Sequence, residues 1–298
     1  TAKFGIFELP NDAISFVKDS KFPVVIKADG LASGKGVYIC ESYIQAKDAI
    51  HEIFNGKFGT AKNILIEEFL VGEEMSYFII SDGKNIKKFG TAQDHKRVLE
   101  GDKGKNTGGM GAYSPSRLIN NELDEKIIKK IIEPTLKGLR DMNCDYKGFL
   151  YAGLMIVKGE PYLIEYNVRM GDPECQTILP RLKSDLFEII FNCCTKNLQN
   201  TNIEWYKEKS LCIVLCSKGY PDRFEKKIII RNIEKINLKK NEYIYHAGTI
   251  KDKDQIYSNG GRVLNFIALS KEFKECRNNS IKLINQLNWL NGFYRKDI

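Results

Sequence analysis

The chain has 298 residues, 43% of them hydrophobic and 28% charged, which suits a globular protein of about two domains with a sizeable core. Its 46 lysine and arginine residues outnumber 38 acidic ones but are scattered, so they support nucleic-acid binding weakly and fit small anionic substrates such as phosphate esters equally well. No apolar run approaches the roughly 18 residues of a membrane span and no signal segment is evident, so we predict a cytoplasmic protein with neither membrane nor nucleic acid as partner.

The first part of the chain alternates strand and helix signals. It begins at Thr1 without a methionine and residues 2–9 resemble the middle of a fold, so we expect further residues upstream. Residues 22–27 and 64–69 are apolar runs typical of strands, and Ser42 is expected to cap a helix with Gln45 as its capping-box partner. The eight cysteines form no paired C-x-x-C motif, which predicts reduced thiols rather than a zinc site or a disulfide framework.

A glycine-rich segment, residues 27–37, follows the first of these apolar runs. Gly30, Gly34 and Gly36 would let backbone amides approach a phosphate, and Lys27 and Lys35 add positive charge. The spacing matches neither a Walker A loop nor a dinucleotide fingerprint. We predict a phosphate-binding loop, with a lysine-rich turn that binds nothing as the alternative.

An acidic linker, residues 67–74, joins the strand at 64–69 to the next element. A backbone that leaves a strand edge offers the free N–H and C=O groups that an adenine ring requires. Glu67 and Glu74 could then serve the adenine amino group and the ribose hydroxyls. The alternative is that the acidic pair is solvated surface.

The middle of the chain predicts a hairpin, a loop and a helix. Residues 75–80 and 85–91 flank an Asp-Gly turn, which is typical of a hairpin. Residues 100–112 contain five glycines and few large apolar groups, so we expect an irregular loop. The apolar spacing from Leu123 to Ile132 predicts a helix that Pro134 ends or kinks.

A second hairpin is predicted for residues 149–157 and 162–169. On its second strand Glu165, Asn167 and Arg169 would share one face, opposite the more apolar alternate positions 162, 164, 166 and 168. Carboxylate and amide oxygens suit a hard cation such as Mg²⁺ and a guanidinium suits phosphate, so we predict a site for a metal-bound nucleotide. A solvated face with a surface ion pair is the alternative.

The last third of the chain differs from the rest in that most of its predicted elements are short strands. Ser184 is expected to cap a helix over 184–197, followed by short strands at 211–216, 227–231, 243–250 and 263–268 and a closing helix over 271–290. We therefore predict domains at 1–74, 75–199 and 200–298.

The order of phosphate loop, acidic hinge and Glu-x-Asn-x-Arg strand resembles the ATP-grasp fold, in which two α+β lobes close on ATP and Mg²⁺. More narrowly, the chain resembles the glycinamide ribonucleotide synthetase family over essentially its whole length. Five long motifs carry that resemblance, at residues 26–36, 93–97, 106–115, 148–155 and 169–176, with shorter matches at 246–249, 259–264 and 295–298. The implied fold class is α+β: an ATP-grasp fold followed by a small, β-rich C-terminal domain.

The resemblance implies a purine-biosynthesis ligase that joins glycine to 5-phosphoribosylamine with hydrolysis of ATP to ADP and phosphate, through glycyl phosphate, with Mg²⁺ or Mn²⁺. It implies that Lys27 and Lys35, with Gly34 and Gly36, hold ATP phosphates, and that Glu165 and Asn167 ligate the metal. Arg169 would steady the migrating γ-phosphoryl group. Adenine and ribose would be held by Glu67, by backbone groups of Glu68 and Leu70, and by Glu74.

The implied substrate residues are Asp94 and Asp172. Asp94 would recognise the glycine ammonium, with Asp172 lining the same pocket, and residues 106–113 would lie against the substrate phosphate. The alternatives are that Asp94 caps a turn and that the glycines only let the loop bend. His95 and His246 are weak candidates for acid or base catalysis.

Three departures from the family's pattern bear on this interpretation. Gly153 stands where ATP-grasp enzymes commonly have a second metal carboxylate, Met170 replaces a commoner phenylalanine, and the family's N-terminal domain does not precede Thr1. Two competing hypotheses are an ATP-grasp enzyme that activates another carboxylate and a chain that binds nucleotide without turnover as part of a complex.

Overall fold

A computed structural model describes residues 1–30 and 36–298 of the chain. Two of the predicted phosphate-loop residues, Gly34 and Lys35, therefore lie outside the described residues. The chain forms two compact units: residues 1–73 with 155–164, and residues 74–154 with 165–298. The three-domain division stays a prediction.

The first unit is built on a four-stranded antiparallel sheet with strand order β1-β4-β2-β3. Its strands are β1 (Phe4–Phe7), β2 (Val24–Ala28), β3 (Val37–Cys40) and β4 (Ile64–Glu68), and its helices are α1 (Pro10–Lys18) and α2 (Tyr43–Phe54). Alternate residues of β2 and β4, among them Ile26 and Ile66, pack with the buried sides of both helices in one apolar core. The helices therefore cover one face of the sheet.

The N-terminus of α2 confirms Ser42 as its cap. The Ser42 side chain accepts a hydrogen bond from the Gln45 N–H at 3.4 Å. The Gln45 side chain accepts from the N–H of Glu41 at 2.8 Å, one residue before the partner that a standard capping box uses.

Apart from Glu73 and residues 155–164, which belong to the first unit, the remaining elements lie in the second unit. Its strands are β5 (Glu73–Asp82), β6 (Ile86–Asp94), β7 (Arg97–Leu99), β8 (Lys103–Asn106), β9 (Gly111–Ser114), β10 (Lys147–Val157), β11 (Glu160–Asn167), β12 (Lys209–Ser217), β13 (Ile228–Ile230), β14 (Glu242–His246), β15 (Thr249–Asp252), β16 (Gln255–Ser258), β17 (Arg262–Ser270) and β18 (Gly292–Phe293). Its helices are α3 (Asn121–Ile127), α4 (Glu133–Asp141), α5 (Glu174–Ile178), α6 (Leu186–Cys194) and α7 (Phe273–Ile284), with shorter helical turns at Ile128–Ile132, Leu179–Arg181, Leu198–Asn200 and Ile233–Lys235.

The main sheet of this unit has the order β10-β5-β6-β9-β12-β17-β14, with β11 beside β10 and β18 beside β12. Strand β9 is short but central, because it pairs with β6 on one side and with β12 on the other. Residue 111 must be glycine here, since a Cβ atom would lie 2.5 Å from the carbonyl oxygen of Cys212. Side chains of β12, β17 and α7 form a core cluster.

Both predicted hairpins are confirmed, β5–β6 and β10–β11, and the second turns at Lys158 and Gly159, which both have positive φ. The irregular loop expected at 100–112 is partly wrong. Strands β7 and β8 form a two-stranded sheet there and β9 begins at Gly111. Backbone pairing makes these segments strands, and Met110, just before β9, is buried in the apolar core.

Four other boundaries differ from the predictions. Asp185, not Ser184, caps α6, because Ser184 Oγ is engaged by Glu204 N–H at 2.8 Å. The helix continues through Pro134, preceded by a π-helical segment that accommodates the missing N–H. The strand predicted at 243–250 divides into β14 and β15, since Gly248 packs closely against Gly260. Strand β11 ends at Asn167, and Val168 is 74% exposed rather than on an apolar face.

Within residues 1–30 and 36–298, no helix is both long and apolar enough to cross a membrane.

Candidate active site

In the first unit, the sheet face opposite α1 and α2 carries Lys27 and Glu67. Their side chains form an ion pair at 2.6 Å, and both are largely shielded from solvent. Around them the same face exposes apolar side chains from the outer strands, Phe4, Ile6, Val37 and Ile39. A charged pair ringed by exposed apolar groups can hold a ligand that has both a flat apolar part and an anionic part.

The end of β4 is held by the N-terminal residues. The Glu68 N–H donates to the Lys3 carbonyl at 3.0 Å, and the Glu68 carboxylate accepts from the Lys3 N–H at 2.9 Å. The Glu68 N–H is thus engaged within the unit, and Leu70 lies beyond the strand, so the role of backbone groups of these two residues toward adenine stays a prediction. The carbonyl of Gly36 accepts from the Ala28 N–H at 2.9 Å, which continues the β2–β3 ladder up to the glycine-rich segment.

In the second unit, Asp94 lies at the end of β6 with an unusual environment. Its Oδ1 atom is buried and has no hydrogen-bond partner within the described residues. A Cβ atom at Gly109 would lie 2.7 Å from Oδ1 and 2.5 Å from Pro173, so only glycine fits against the carboxylate. Burial raises the pKa of Asp94 well above its usual range, the nearby charge of Glu174 raises it further, and Lys96 and Arg262 only partly offset them.

Lys96 links Asp94 to two other predicted site residues. Its Nζ forms an ion pair with Glu74 Oε2 at 2.6 Å. Burial lowers the pKa of Lys96, but the negative charges of Glu74, Asp94 and Glu165 outweigh it, so the pKa is raised and the ammonium group is retained. The sequence reasoning did not assign Lys96 a role, although it lies in the quoted motif at 93–97.

Glu174 is a second buried carboxylate that the sequence reasoning missed. It is 3% exposed, and its Oε1 lies 2.8 Å from Ser76 Oγ, which in turn lies 2.9 Å from the Tyr151 hydroxyl. Burial raises the pKa of Tyr151 and keeps that hydroxyl neutral. The motif at 169–176 contains Glu174, but only the fold shows that it lies close enough to Asp94 to influence it.

Glu165 and Asn167 share one face of β11, as predicted. The Asn167 Nδ2 atom lies 3.5 Å from Glu165 Oε1. A Cβ atom at Gly153 would lie 3.2 Å from Glu165 Cγ, so the glycine that departs from the family's pattern gives Glu165 its space. In the described part of the chain, no group of three or more His, Cys, Asp or Glu side chains is arranged to hold a metal.

Arg169 does not continue that face, because the strand ends two residues earlier. It is exposed, and its Nη1 donates to the carbonyl of the adjacent Met170 at 2.9 Å. The strand alternation that grouped Arg169 with Glu165 was therefore wrong for this residue. Its role in phosphoryl transfer stays a prediction.

Asp172 is held by Arg262, a residue of the last third of the chain. Arg262 Nη1 donates to the carbonyls of Gly108 at 2.5 Å and Asp172 at 2.7 Å, and Nη2 pairs with Asp172 Oδ2 at 2.9 Å. Gln176 Nε2 donates to the other carboxylate oxygen of Asp172 at 2.7 Å. We call these contacts the Arg262 clamp; it fixes the two loops that carry Gly109 and Pro173 against Asp94.

Solved structures with low sequence identity identify the fold class. The biotin carboxylase domain of Hydrogenobacter thermophilus 2-oxoglutarate carboxylase, solved with MgADP, matches with a TM-score of 0.74 at 15% identity over 98% of this chain and 63% of that one. The model of the phosphoribosylglycinamide synthetase ATP-grasp (A) domain matches residues 1–175. The chain is therefore an ATP-grasp protein, which confirms the predicted fold.

Closer matches identify the family. The model of the phosphoribosylglycinamide synthetase C domain matches residues 210–298. Phosphoribosylamine–glycine ligase of Agrobacterium fabrum is 43% identical over 100% of this chain and 70% of that protein, and the chloroplastic ligase of Arabidopsis thaliana is 42% identical over 100% and 57%. The crystal structure of the Thermotoga maritima ligase matches with a TM-score of 0.88 and 33% identity over 100% of this chain and 74% of that one. The chain belongs to the phosphoribosylglycinamide synthetase family, a family of ATP-dependent ligases.

Proposed function

We propose that this chain carries the ATP-dependent ligation of glycine to 5-phosphoribosylamine, giving glycinamide ribonucleotide, ADP and phosphate. The chain spans 57% of the length of the plant relative and 70% of the length of the Agrobacterium relative. The observation that carries the proposal is the Asp94 carboxylate near Lys96 and Glu174, whose buried Oδ1 has no hydrogen-bond partner among the described residues. Membership of the family indicates the reaction. The group of Asp94, Lys96 and Glu174, called the Asp94 cluster below, would bind the charged groups of the reactants.

The chemistry requires activation of a carboxylate, which is a poor electrophile while it is charged. Transfer of the γ-phosphoryl group to glycine would give glycyl phosphate, and the amine of phosphoribosylamine would then displace phosphate to form the amide. No nucleophile from the protein is needed. Catalysis then depends on holding the reactants in line and on neutralising the charge that moves between them.

Asp94 would bind the ammonium group of glycine. Its Oδ1 is buried, lacks a partner among the described residues and lies near the negative charge of Glu174, so a small cation is the missing group. Binding of the ammonium would satisfy the oxygen and favour the ionised carboxylate. Asp172 would act from a distance, because the Arg262 clamp already occupies its carboxylate.

Lys96 would stabilise negative charge on the carboxylate that is being phosphorylated. Its ammonium group is retained by three surrounding carboxylates, yet one of them, Glu74, is exposed enough to rotate toward a ribose hydroxyl. A bound phosphoryl group could then replace Glu74 as the partner of Lys96.

Glu165 and Asn167 would hold Mg²⁺ or Mn²⁺. Their oxygens are hard donors on one strand face, which fits such an ion, and phosphate oxygens and water would complete its shell. When bound, the ion would neutralise charge on the transferring phosphoryl group. Arg169 would add a guanidinium to the same group after leaving its contact with Met170.

The nucleotide would lie on the open sheet face of the first unit. The exposed apolar groups there suit adenine, and Lys27 would exchange its pairing with Glu67 for an ATP phosphate. Lys35, Gly34 and Gly36 would complete the phosphate loop, with Glu67, Glu68 and Leu70 near the base and Glu74 near the ribose. The predicted cytoplasmic location stays a prediction.

The test measures phosphate release by the full-length protein when ATP, Mg²⁺, phosphoribosylamine and glycine are all present. We expect release to fall to background when either glycine or phosphoribosylamine is omitted and when Asp94 is changed to Asn. An unchanged rate without glycine would show that another carboxylate is activated. Nucleotide binding without any release under complete conditions would instead favour a chain that binds ATP without turnover.

A further inference from the structure

A small cavity in the second unit lies away from the candidate active-site residues. It has a volume of about 230 Å³ and is lined by Tyr77, Lys88, Gly90, Thr91, Pro115, Asp124, Arg181 and Trp205. On β5, Ser76 faces Glu174 while its neighbour Tyr77 lines the cavity, and successive strand residues point to opposite faces. The cavity is therefore on the opposite side of this sheet from the Asp94 cluster.

Arg181 brings a positive charge to this cavity without a matching carboxylate. Its Nε donates to the Glu208 carbonyl at 2.7 Å and its Nη1 to Ser114 Oγ at 2.9 Å, both of which are neutral oxygens. Within the described residues it forms no ion pair, and Nη2 has no hydrogen-bond partner. Burial lowers the pKa of Arg181, with only the more distant charge of Glu208 acting against it. A desolvated guanidinium with a spare donor is a binding group for an anion.

The other wall residues define the shape and polarity of the ligand. The rings of Trp205, Tyr77 and Pro115 give flat apolar surfaces. Asp124 is already satisfied, since it accepts from the Tyr77 hydroxyl at 2.6 Å and pairs with Lys88. The lining residues therefore have one positive charge to spare, on Arg181, beside aromatic surface.

We propose that this cavity binds a small planar carboxylate, with the carboxylate on Arg181 and the ring against Trp205. The volume lies below the roughly 300–1,000 Å³ of pockets for drug-sized ligands, so it suits a single ring rather than a nucleotide. A fork-to-fork pairing of guanidinium and carboxylate would use Nη2, and the Trp205 N–H would bind the second oxygen or an ortho substituent. The site is independent of the function proposed above.

Benzoate is the probe for the test, with benzamide as its neutral counterpart of the same shape. Because the chain contains two tryptophans, a Trp289→Phe background makes Trp205 the single indole reporter. In that background we expect benzoate to change the Trp205 emission saturably and to bind at least about tenfold more tightly than benzamide. Saturating ADP with Mg²⁺ should leave the benzoate affinity unchanged.

Two variants locate the binding group. Arg181→Gln should weaken benzoate binding at least about tenfold, while Lys207→Gln, which removes the same charge from an exposed residue outside the lining, should not. Equal affinity for benzoate and benzamide, no saturable response, or displacement of benzoate by ADP would each overturn the proposal. The comparison of benzoate with benzamide is made on protein that retains Arg181. It therefore tests the proposal even if Arg181→Gln fails to fold.

Discussion

Asp94 is a carboxyl group whose surroundings favour its neutral form in the absence of a ligand. Burial and the charge of Glu174 raise its pKa in the folded protein above the ordinary value of about 3.9 for an aspartate in the unfolded chain. Below that value both states are protonated and the group has no effect on stability. As the pH rises above it, the unfolded chain releases the proton first, so Asp94 increasingly destabilises the fold.

Asp94→Asn should therefore stabilise the free protein more at pH 8 than at pH 5. The amide keeps the shape of the side chain and removes the buried titration. Urea unfolding of both proteins at the two pH values, without substrates, measures the difference. Asp145→Asn, at an exposed position, is the matched control. A stability difference that does not change with pH would contradict the raised pKa.

The same substitution should abolish use of glycine if Asp94 binds its ammonium group. Loss of a buried charged hydrogen bond with an unpaired partner left behind is expected to lower kcat/KM for glycine at least about 100-fold. The measurement is steady-state phosphate release with glycine varied. The KM for ATP should change little, and an equal loss for both substrates would argue for a general structural effect instead.

Glu165→Gln should raise the Mg²⁺ concentration needed for half-maximal activity at least about tenfold, because a neutral amide is a weaker ligand for a hard cation. A metal titration at saturating ATP measures it. Glu188→Gln, which removes an exposed carboxylate from α6, should leave the titration unchanged. The same titration curve for both variants would remove Glu165 from the metal shell.

At the scale of single elements, the Arg262 clamp joins the loop of Gly108 to the loop of Asp172, and the Tyr220 hydroxyl accepts a further hydrogen bond from the Gly108 N–H. Arg262→Lys keeps the charge but cannot bond two carbonyls and a carboxylate together. We expect kcat/KM for glycine to fall about tenfold or more, with faster amide hydrogen exchange at Gly108 and Gly109. Exchange in α7, away from the clamp, should not change. Unaltered exchange at the two glycines would show that the clamp does not hold the loop.

The N-terminus of α6 provides a simple test of an element boundary. Asp185 Oδ1 accepts the Glu188 N–H at 3.0 Å, so Asp185→Ala should cost about 1 kcal/mol in the free energy of unfolding. Asp185→Asn retains a capping oxygen and should be nearly neutral. Urea denaturation of the two variants distinguishes this from a charge effect, in which both substitutions would destabilise equally.

Local signals predicted most elements of the chain but not the contacts that join distant segments. The Asp-Gly turn gave the β5–β6 hairpin, and Ser42 gave the start of α2, because turns and caps depend on a few adjacent residues. Ser184 and Asp185 are both good caps, and only the hydrogen bond from Glu204 to Ser184 decides between them. Strand alternation grouped Glu165 with Asn167 correctly, whereas the end of β11 before Arg169 depends on tertiary structure.

Sequence reasoning likewise found those candidate site residues whose motifs indicate their chemistry, and missed others. Asp94, Glu165 and Asn167 stand in motifs whose residue types indicate their chemistry. Lys96 stands two residues after Asp94, but its burial and its pairing with Glu74 are properties of the fold. Glu174 becomes a site candidate only because the fold brings α5 close to Asp94, which no local pattern shows. The spare guanidinium of Arg181 was likewise invisible, since its lack of a carboxylate partner is a property of the folded unit.

At the scale of the whole chain, its last residues hold the β7–β8 hairpin. Arg295 is buried and pairs with Asp102 at 2.7 Å and Asp297 at 2.6 Å, while Asp297 accepts the Gly101 N–H at 2.9 Å. The hydrogen bond from Arg295 lowers the pKa of Asp297 to about 2. Its contribution to stability is therefore fully present above the ordinary pKa of about 3.9 and is lost as the pH falls toward about 2.

Asp297→Asn should destabilise the protein by about 1 kcal/mol at pH 7, a value that allows for screening by solvent at a partly exposed site. The difference between the variant and the parent should shrink as the pH is lowered from 5 to 3. Thermal unfolding across that range measures it. A difference that grows toward acid pH would contradict the assigned ion pair.

The pairing of β9 with β12 also determines when, during synthesis on the ribosome, the segment beside Asp94 can fold. The glycine-rich segment beside Asp94 is made early, yet its partners at residues 210–213 and the guanidinium of Arg262 are translated about a hundred residues or more later. A nascent chain that ends before them contains the Asp94 motif without the strand that supports it. If Asp94 binds glycine as proposed, that ability should arise late in translation, and the segment stays without its partner strand until then.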